Sequence, residues 1–501
     1  MKTFVRGLFL ALIGFACLLS SGWPGLAFAL SPILDPPPHW VLIQQDRCLE
    51  TTSPPGEIPI CQPSYSSALE ACVSASTRFP LVTNVNAPIS GTPPNQLAIC
   101  IIGFGNPQDG CFATPPRFLG CNENIGAINS TQTKCPENSR RISDTFCECN
   151  PGSVEADGQC SGGPNNGDPC PKCGNPANPA NGNKFERQLV YRGLNGFELS
   201  LAFNTLDDYD TRFGRRWRDS YDRRIGASGS AKGPGKAAFR PDGKVFQFNL
   251  VGGAWVPDTS SNYRLTATPS GWTLYVPDGD ETETYNLAGL LLSIRSRAGL
   301  TQTVTYSDGS TGPNGGFILT DGGQPTQIAM PLGAPIRVTD NFGRTLSFGY
   351  NAALRVVAVT DPSGGLYRFT YGTTNNNLAT ITFPDGTVKT FVYNEPENTR
   401  GANLVNALTG IIDENNSRFA TFQYDGQENV VSTEHSGAER YQLSYANLVT
   451  TVTDPLNTPR SYGFQLTFNT FKNVGISGLA CPACGPMSQI FDANGNVASR
   501  T

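Results

Sequence analysis

The stretch Tyr350-Asn351-Ala352-Ala353-Leu354-Arg355-Val356-Val357-Ala358-Val359-Thr360-Asp361-Pro362-Ser363-Gly364-Gly365-Leu366-Tyr367-Arg368-Phe369-Thr370-Tyr371-Gly372 decides the fold. In Tyr367-Arg368-Phe369-Thr370-Tyr371, aromatic and polar residues alternate. Successive side chains of a strand point to opposite faces, so this pattern predicts a half-buried strand. Asp361-Pro362-Ser363-Gly364 reads as a tight turn, because Pro presets φ and Gly accepts positive φ. The unit is therefore an aromatic-polar pair, a turn, an apolar strand around Val356, a second turn and a returning strand. It is a β-hairpin.

The same unit recurs. Tyr-Asn, Tyr-Asp or a near equivalent stands at Tyr285-Asn286, Tyr306-Ser307, Tyr350-Asn351, Tyr371-Gly372, Tyr393-Asn394, Tyr424-Asp425, Tyr445-Ala446 and Phe491-Asp492. The intervals are 21, 44, 21, 22, 31, 21 and 46 residues. They predict a period of about 21 residues, with degenerate copies in the two long intervals and an insertion around Pro396 to Asn403. A lone hairpin cannot bury its aromatic face, so stacked neighbours supply the core.

Working outward, alternation also marks Glu198 to Phe203, Lys244 to Leu250 and Gly271 to Val276, with Pro-Asp-Gly turns at Pro241, Pro277 and Pro384. The chain holds 54 Gly, 39 Pro and 28 Phe with only 3 Met, a turn-rich and aromatic-rich composition that points to an all-β fold. A net charge of -5 gives no electrostatic reason to expect nucleic acid. His39 and His435 are the only histidines, which excludes most His-dependent triads and His-rich metal sites.

These features resemble the Rhs, or YD-repeat, family. The resemblance rests on the repeats, ending in Phe491-Asp492-Ala493-Asn494-Gly495-Asn496, and on three blocks that precede them in order: Gly174 to Lys184, Leu199 to Asn204, and Phe213-Gly214-Arg215-Arg216-Trp217-Arg218-Asp219-Ser220-Tyr221-Asp222-Arg223-Arg224. It covers residues 170 to 501. The family implies a β-hairpin ribbon that spirals into a shell, a polymorphic-toxin assembly whose cargo is a C-terminal toxin. This chain stops at the start of a repeat, with neither the terminal core motif nor a toxin segment, so the expectation is part of a shell, a partial spiral.

Ahead of that region, Lys2 and Arg6, an apolar stretch from Gly7 to Leu19 and Ala27-Phe28-Ala29 read as a secretory signal cleaved before Leu30. Later segments are too short and polar to cross a bilayer as helices, so the expected location is secreted or at the cell surface. Ten cysteines lie between Cys48 and Cys160, the density of a disulfide-stapled module. The predicted organisation is a signal peptide at 1–29, a Cys-rich disulfide module at 30–165, a pre-repeat β domain at 166–280 and incomplete YD repeats at 281–501.

Cys170 and Cys173, with Cys481 and Cys484, form two Cys-x-x-Cys pairs. They are disulfide candidates, with a four-thiolate zinc site or a redox pair as alternatives. The arginines between Arg212 and Arg224 interleave with Asp207, Asp208, Asp210, Asp219 and Asp222, a pattern read as ion pairs in preference to an anion-binding patch. Asp207 with Asp208, or Asp280 with Glu281 and Glu283, could serve a glycoside hydrolase only at fixed separation across a cleft, which adjacency in sequence does not provide. No catalytic residues, cofactor or resident metal are expected. The function expected is an exported structural scaffold that encapsulates or presents a toxin in contact-dependent competition. The alternative is a carbohydrate-binding adhesion protein with a cell-surface polysaccharide as partner.

Overall fold

The computed structural model describes residues 138–143, 146–168, 174–230, 233–257, 261–312, 314–320, 323–373, 375–478, 488–492 and 495–501, and before them short strands between Ile33 and Lys134. Two compact units are present. The smaller, residues 31–136 with 141–147, holds a six-stranded antiparallel sheet in which His39–Ile43 and Ile125–Ser130 are central. The larger, residues 137–140 and 148–501 together with 1–30, carries the repeats.

Among the described residues the larger unit is all β with two short 3-10 turns. Its main feature is one antiparallel sheet of 22 strands, from Arg224–Ser230 to Thr470–Gly478, each strand paired with the next in sequence. Alternation sorts the side chains as the sequence predicts. Leu346, Phe348 and Tyr350 of one strand, Tyr367 and Phe369 of another, and Ala420, Phe422 and Tyr424 of a third lie on the buried face. The opposite face carries hydroxyl pairs across neighbouring strands: Thr339 with Thr345 at 3.1 Å, Thr370 with Thr380 at 2.6 Å, and Thr451 with Ser461 at 3.1 Å.

The turns explain the Asx residues of the repeat. Asp361 Oδ1 accepts hydrogen bonds from the backbone N–H of Ser363 (2.7 Å) and Gly365 (2.9 Å). Gly364 then takes φ 87°, which returns the chain into the next strand. Asn351, Asp413, Asp425 and Asp454 hold their turns in the same way. The repeat tyrosine sits at a register shift in the Tyr285, Tyr306, Tyr350, Tyr371, Tyr393 and Tyr424 hairpins. Each such bulge adds twist to its hairpin.

One interval departs from expectation. The 44 residues from Tyr306 to Tyr350 do not contain a degenerate copy: Thr301–Tyr306 pairs directly with Pro335–Asp340, and the added length is an irregular excursion at 307–334. Spacing alone cannot distinguish a lost copy from an insertion one period long. The insertion near Pro396 likewise loops out between the paired strands Val388–Tyr393 and Leu408–Ile412.

A second sheet, Phe185–Arg192, Glu198–Asn204 and Trp217–Asp219, packs on the buried face of the long one. Phe197, Leu199, Leu201, Phe203 and Trp217 join Phe348, Phe369, Phe391 and Phe422 in a single hydrophobic core. At about 25 cal/mol per Å² of apolar surface removed from water, this seam is a major source of the unit's stability.

Candidate functional site

The segment that precedes the long sheet is docked along its buried face through contacts spread over the whole segment. Asn165 Oδ1 accepts from the N–H of Phe471 (2.9 Å), and Pro179 C=O accepts from the Thr450 hydroxyl (2.5 Å). Gly182 C=O accepts from Val430 N–H at 3.0 Å. Lys184 lies over the Phe422 ring at 4.2 Å. Trp217 packs edge-on to Phe391 at 4.9 Å and donates from Nε1 to the Tyr393 hydroxyl at 2.8 Å. Phe213 meets Phe369 at 5.1 Å, and Arg212 C=O accepts from Val356 N–H at 2.8 Å. Tyr221 donates to Gln302 at 2.9 Å. Residues 165 to 223 therefore meet partners between 283 and 471, and within the segment Arg212, Phe213 and Trp217 meet theirs in ascending order, at 356, 369 and 391.

This arrangement accounts for the motif Phe213 to Arg224. Gly214 holds φ 98°, and a Cβ there would stand 2.6 Å from Asn376 C=O, so only glycine lets the two backbones touch. The charges interleave because they neutralise one another in the seam. Arg218, 1% exposed, and Asp207, 0% exposed, form a two-point ion pair that includes Nη2 to Oδ1 at 2.8 Å. Arg212 pairs with Asp219 at 2.7 Å, Arg215 with Asp208, and Arg355 of the long sheet with Asp210. Arg216 reaches Glu428, with Nη2 to Oε2 at 3.0 Å. The ion-pair reading of the sequence thus describes these residues, although several partners lie on distant strands.

The acidic residues considered for hydrolysis are engaged in the same way. Glu283 is buried, takes two hydrogen bonds from Arg240 (2.6 and 2.8 Å), and is also bound by Arg223 and the Tyr285 hydroxyl. Burial pushes its carboxyl up, but the two guanidiniums and the hydroxyl prevail and hold it at about 2. Asp280 pairs with Arg297 at 3.1 Å and Glu281 with Arg223 at 3.4 Å. Burial lowers the Lys184 ammonium, against the pull of Glu186 at 2.9 Å. Beside Glu283 a cleft of about 570 Å³ opens, with Glu198, Arg223, Arg240, Asp278 and Glu281 in its lining alongside the apolar Phe185, Val276 and Ile294. Cys170, Cys173, Cys481 and Cys484 lie outside the described residues. In the Cys-rich segment, Cys149 is bonded to Cys160 and Cys147 is also in a disulfide.

Two features went unread in the sequence. The first is a ladder of tyrosine hydroxyls. Tyr306, Tyr350, Tyr371, Tyr393 and Tyr445 each donate to the C=O fifteen residues earlier, at Leu291, Pro335, Val356, Leu378 and Val430, over 2.5 to 2.9 Å. Tyr424 does so to Leu408 at 2.7 Å. The constant offset between the tyrosine and the start of the preceding strand was the available signal. The second is the set of single long-range partners, Glu428 and Phe422, for which no local signal exists.

The RHS Repeat family pattern matches residues 330–366 and 350–388, the hairpins around Tyr350 and Tyr371. Those hairpins are RHS repeats. Curated proteins give no match. Among solved structures, the chain is similar to TcdB2-TccC3 without its hypervariable C-terminal region, at 12% identity and a TM-score of 0.27 over 62% of this chain and 18% of that one. It is also similar to the Tc holotoxin pore of Photorhabdus luminescens carrying a TccC3 mutation, at 13% identity and a TM-score of 0.25 over 64% and 17%. The chain thus spans less than a fifth of the length of these two chains. Tyr350 and Tyr371 of the ladder, with the Asx turns at Asn351 and Asp361, lie within the matched residues.

Proposed function

We propose that this chain is an exported RHS-repeat scaffold, part of the wall of a shell that encapsulates or presents a C-terminal toxin in contact-dependent competition. The observation that carries the reading is the single 22-stranded sheet of RHS hairpins, with one face sealed by its own preceding segment and the other polar. Such a sheet is a wall, and its named charged residues are spent on ion pairs within it and with the docked segment, as Glu283 with Arg240 and Arg355 with Asp210 illustrate. Its role is structural. Export follows from the segment ending Ala27-Phe28-Ala29.

The test uses the protein from its native source. Antibodies against residues 345–393 should recover, after limited proteolysis, a resistant RHS body that retains polypeptide outside residues 1–501, with a mature N-terminus at Leu30. Recovery of RHS polypeptide alone from a fully digested sample would overturn the shell reading, and an intact Met1 would overturn export.

A further inference from the structure

The loop closed by the Cys149–Cys160 disulfide touches both ends of the long sheet. On the last-strand side, Gly152 N–H donates to Asn469 Oδ1 at 2.9 Å, and Asn469 Nδ2 donates back to Ser153 C=O. Asn165, just beyond the loop, ties Gly152 C=O (3.0 Å) to Phe471 N–H (2.9 Å) through its own side chain. On the first-strand side, Asp157 exchanges bonds with Ala227, accepting at 2.7 Å and donating at 3.1 Å, and it pairs with Arg224. Glu155 C=O accepts from Gln247 (2.8 Å) and Ser228 (3.1 Å), while Ala156 C=O accepts from Tyr209 (2.5 Å). Val154 and Ala156 complete a small separate core with Tyr209, Ala237, Phe239 and Val245.

Between Cys149 and Cys160, therefore, Gly152 and Ser153 grip the last strands and Glu155, Ala156 and Asp157 grip the first ones. We propose that this loop is a redox-sensitive buckle that fastens the first and last strands of the RHS sheet, and that a dithiol reductant opens it. In the chemical step a reductant thiolate attacks the half-buried Cys149 sulfur and expels Cys160 as thiolate, Cys160 being 1% exposed. The second reductant thiol then displaces Cys149. The products are two cysteine thiols and the oxidised cyclic reductant, so two electrons and two protons have moved to the protein. Opening follows because the cross-link limits the conformations open to a released loop, and its loss favours release. The inference concerns the sheet's fastening and stands whether or not a toxin is enclosed.

Hydrogen exchange followed by mass spectrometry on the full chain tests it. The double variant C149S/C160S, and the wild type treated with dithiothreitol, should both show at least tenfold faster exchange at 224–230 and at 468–478, with 345–371 unchanged. The variant Asn469→Ala, which keeps the disulfide, should loosen 468–478 alone. Unchanged exchange at either end in the double variant, or an equal rise along the whole sheet, would overturn the buckle. The double variant separates this disulfide from the others that dithiothreitol also reduces. The Asn469→Ala arm still decides the matter if that variant folds poorly, since loosening at both ends or neither counts against the proposal.

Discussion

Glu283 shows what a buried carboxylate does in this seam. Its folded value of about 2 lies below the ordinary 4.5, so the ionised form is favoured by folding. The resulting stability is fully present above pH 4.5 and is lost as pH falls toward 2. By pH 3 the loss reaches about 2 kcal/mol. Urea unfolding at pH 7 and pH 3 should register it, and Glu283→Gln should remove that part of the acid slope. The variant should also lose about 3 to 5 kcal/mol at pH 7, because Arg240 and Arg223 keep their buried charges without the carboxylate. Gly214 offers a steric counterpart. Gly214→Ala forces a Cβ against Asn376 C=O at φ 98° and should cost about 1 to 3 kcal/mol. Gly343→Ala is the control, since its φ of 79° carries the same conformational penalty with nothing within 4 Å of the new atom. Denaturant midpoints for the pair separate backbone strain from the clash.

At the scale of the hairpin, the tyrosine hydroxyl is the stitch between one strand's end and the preceding strand's start. Tyr371→Phe removes the 2.6 Å bond to Val356 C=O and leaves that oxygen buried, for a loss of about 1 kcal/mol or somewhat more. Hydrogen exchange in Val356–Thr360 should rise locally while Val430–His435 is unaffected. These hairpins were legible in the sequence because everything that makes them is local: the alternation of Tyr367, Phe369 and Tyr371, the Asx at Asn351 and Asp361, and the Gly at 364. The 307–334 excursion was misread because a period carries no information about where added length is stored. The docking of Phe213 to Arg224 was visible only as a charge pattern. Its meaning depends on Glu428 and Phe391, more than 170 residues away, and single pairs at that distance leave no mark in one sequence.

For the larger unit as a whole, the docked segment changes how the long sheet should unfold. In a linear repeat array each unit contacts only its neighbours, and stability is close to a sum of local terms. Here the segment 165–223 contacts strands from Glu283 to Phe471, and one core runs from Ala177 to Ile476. Strands far apart in the sheet thereby share a common partner, so they should lose protection together. Native-state hydrogen exchange at rising urea should bring Leu366–Tyr371, Val388–Tyr393 and Arg418–Tyr424 to one common opening free energy. Trp217→Ala empties a fully buried site against Phe391 and Phe203, at a cost of about 3 to 5 kcal/mol. In that variant the three strands should open at different urea concentrations, with Val388–Tyr393 first, because Trp217 touches Phe391 and Tyr393 directly. Retention of a single opening energy in Trp217→Ala would mean that the hairpins couple through their own edges. Separate openings in the wild type would mean that the docked segment adds stability without joining the strands.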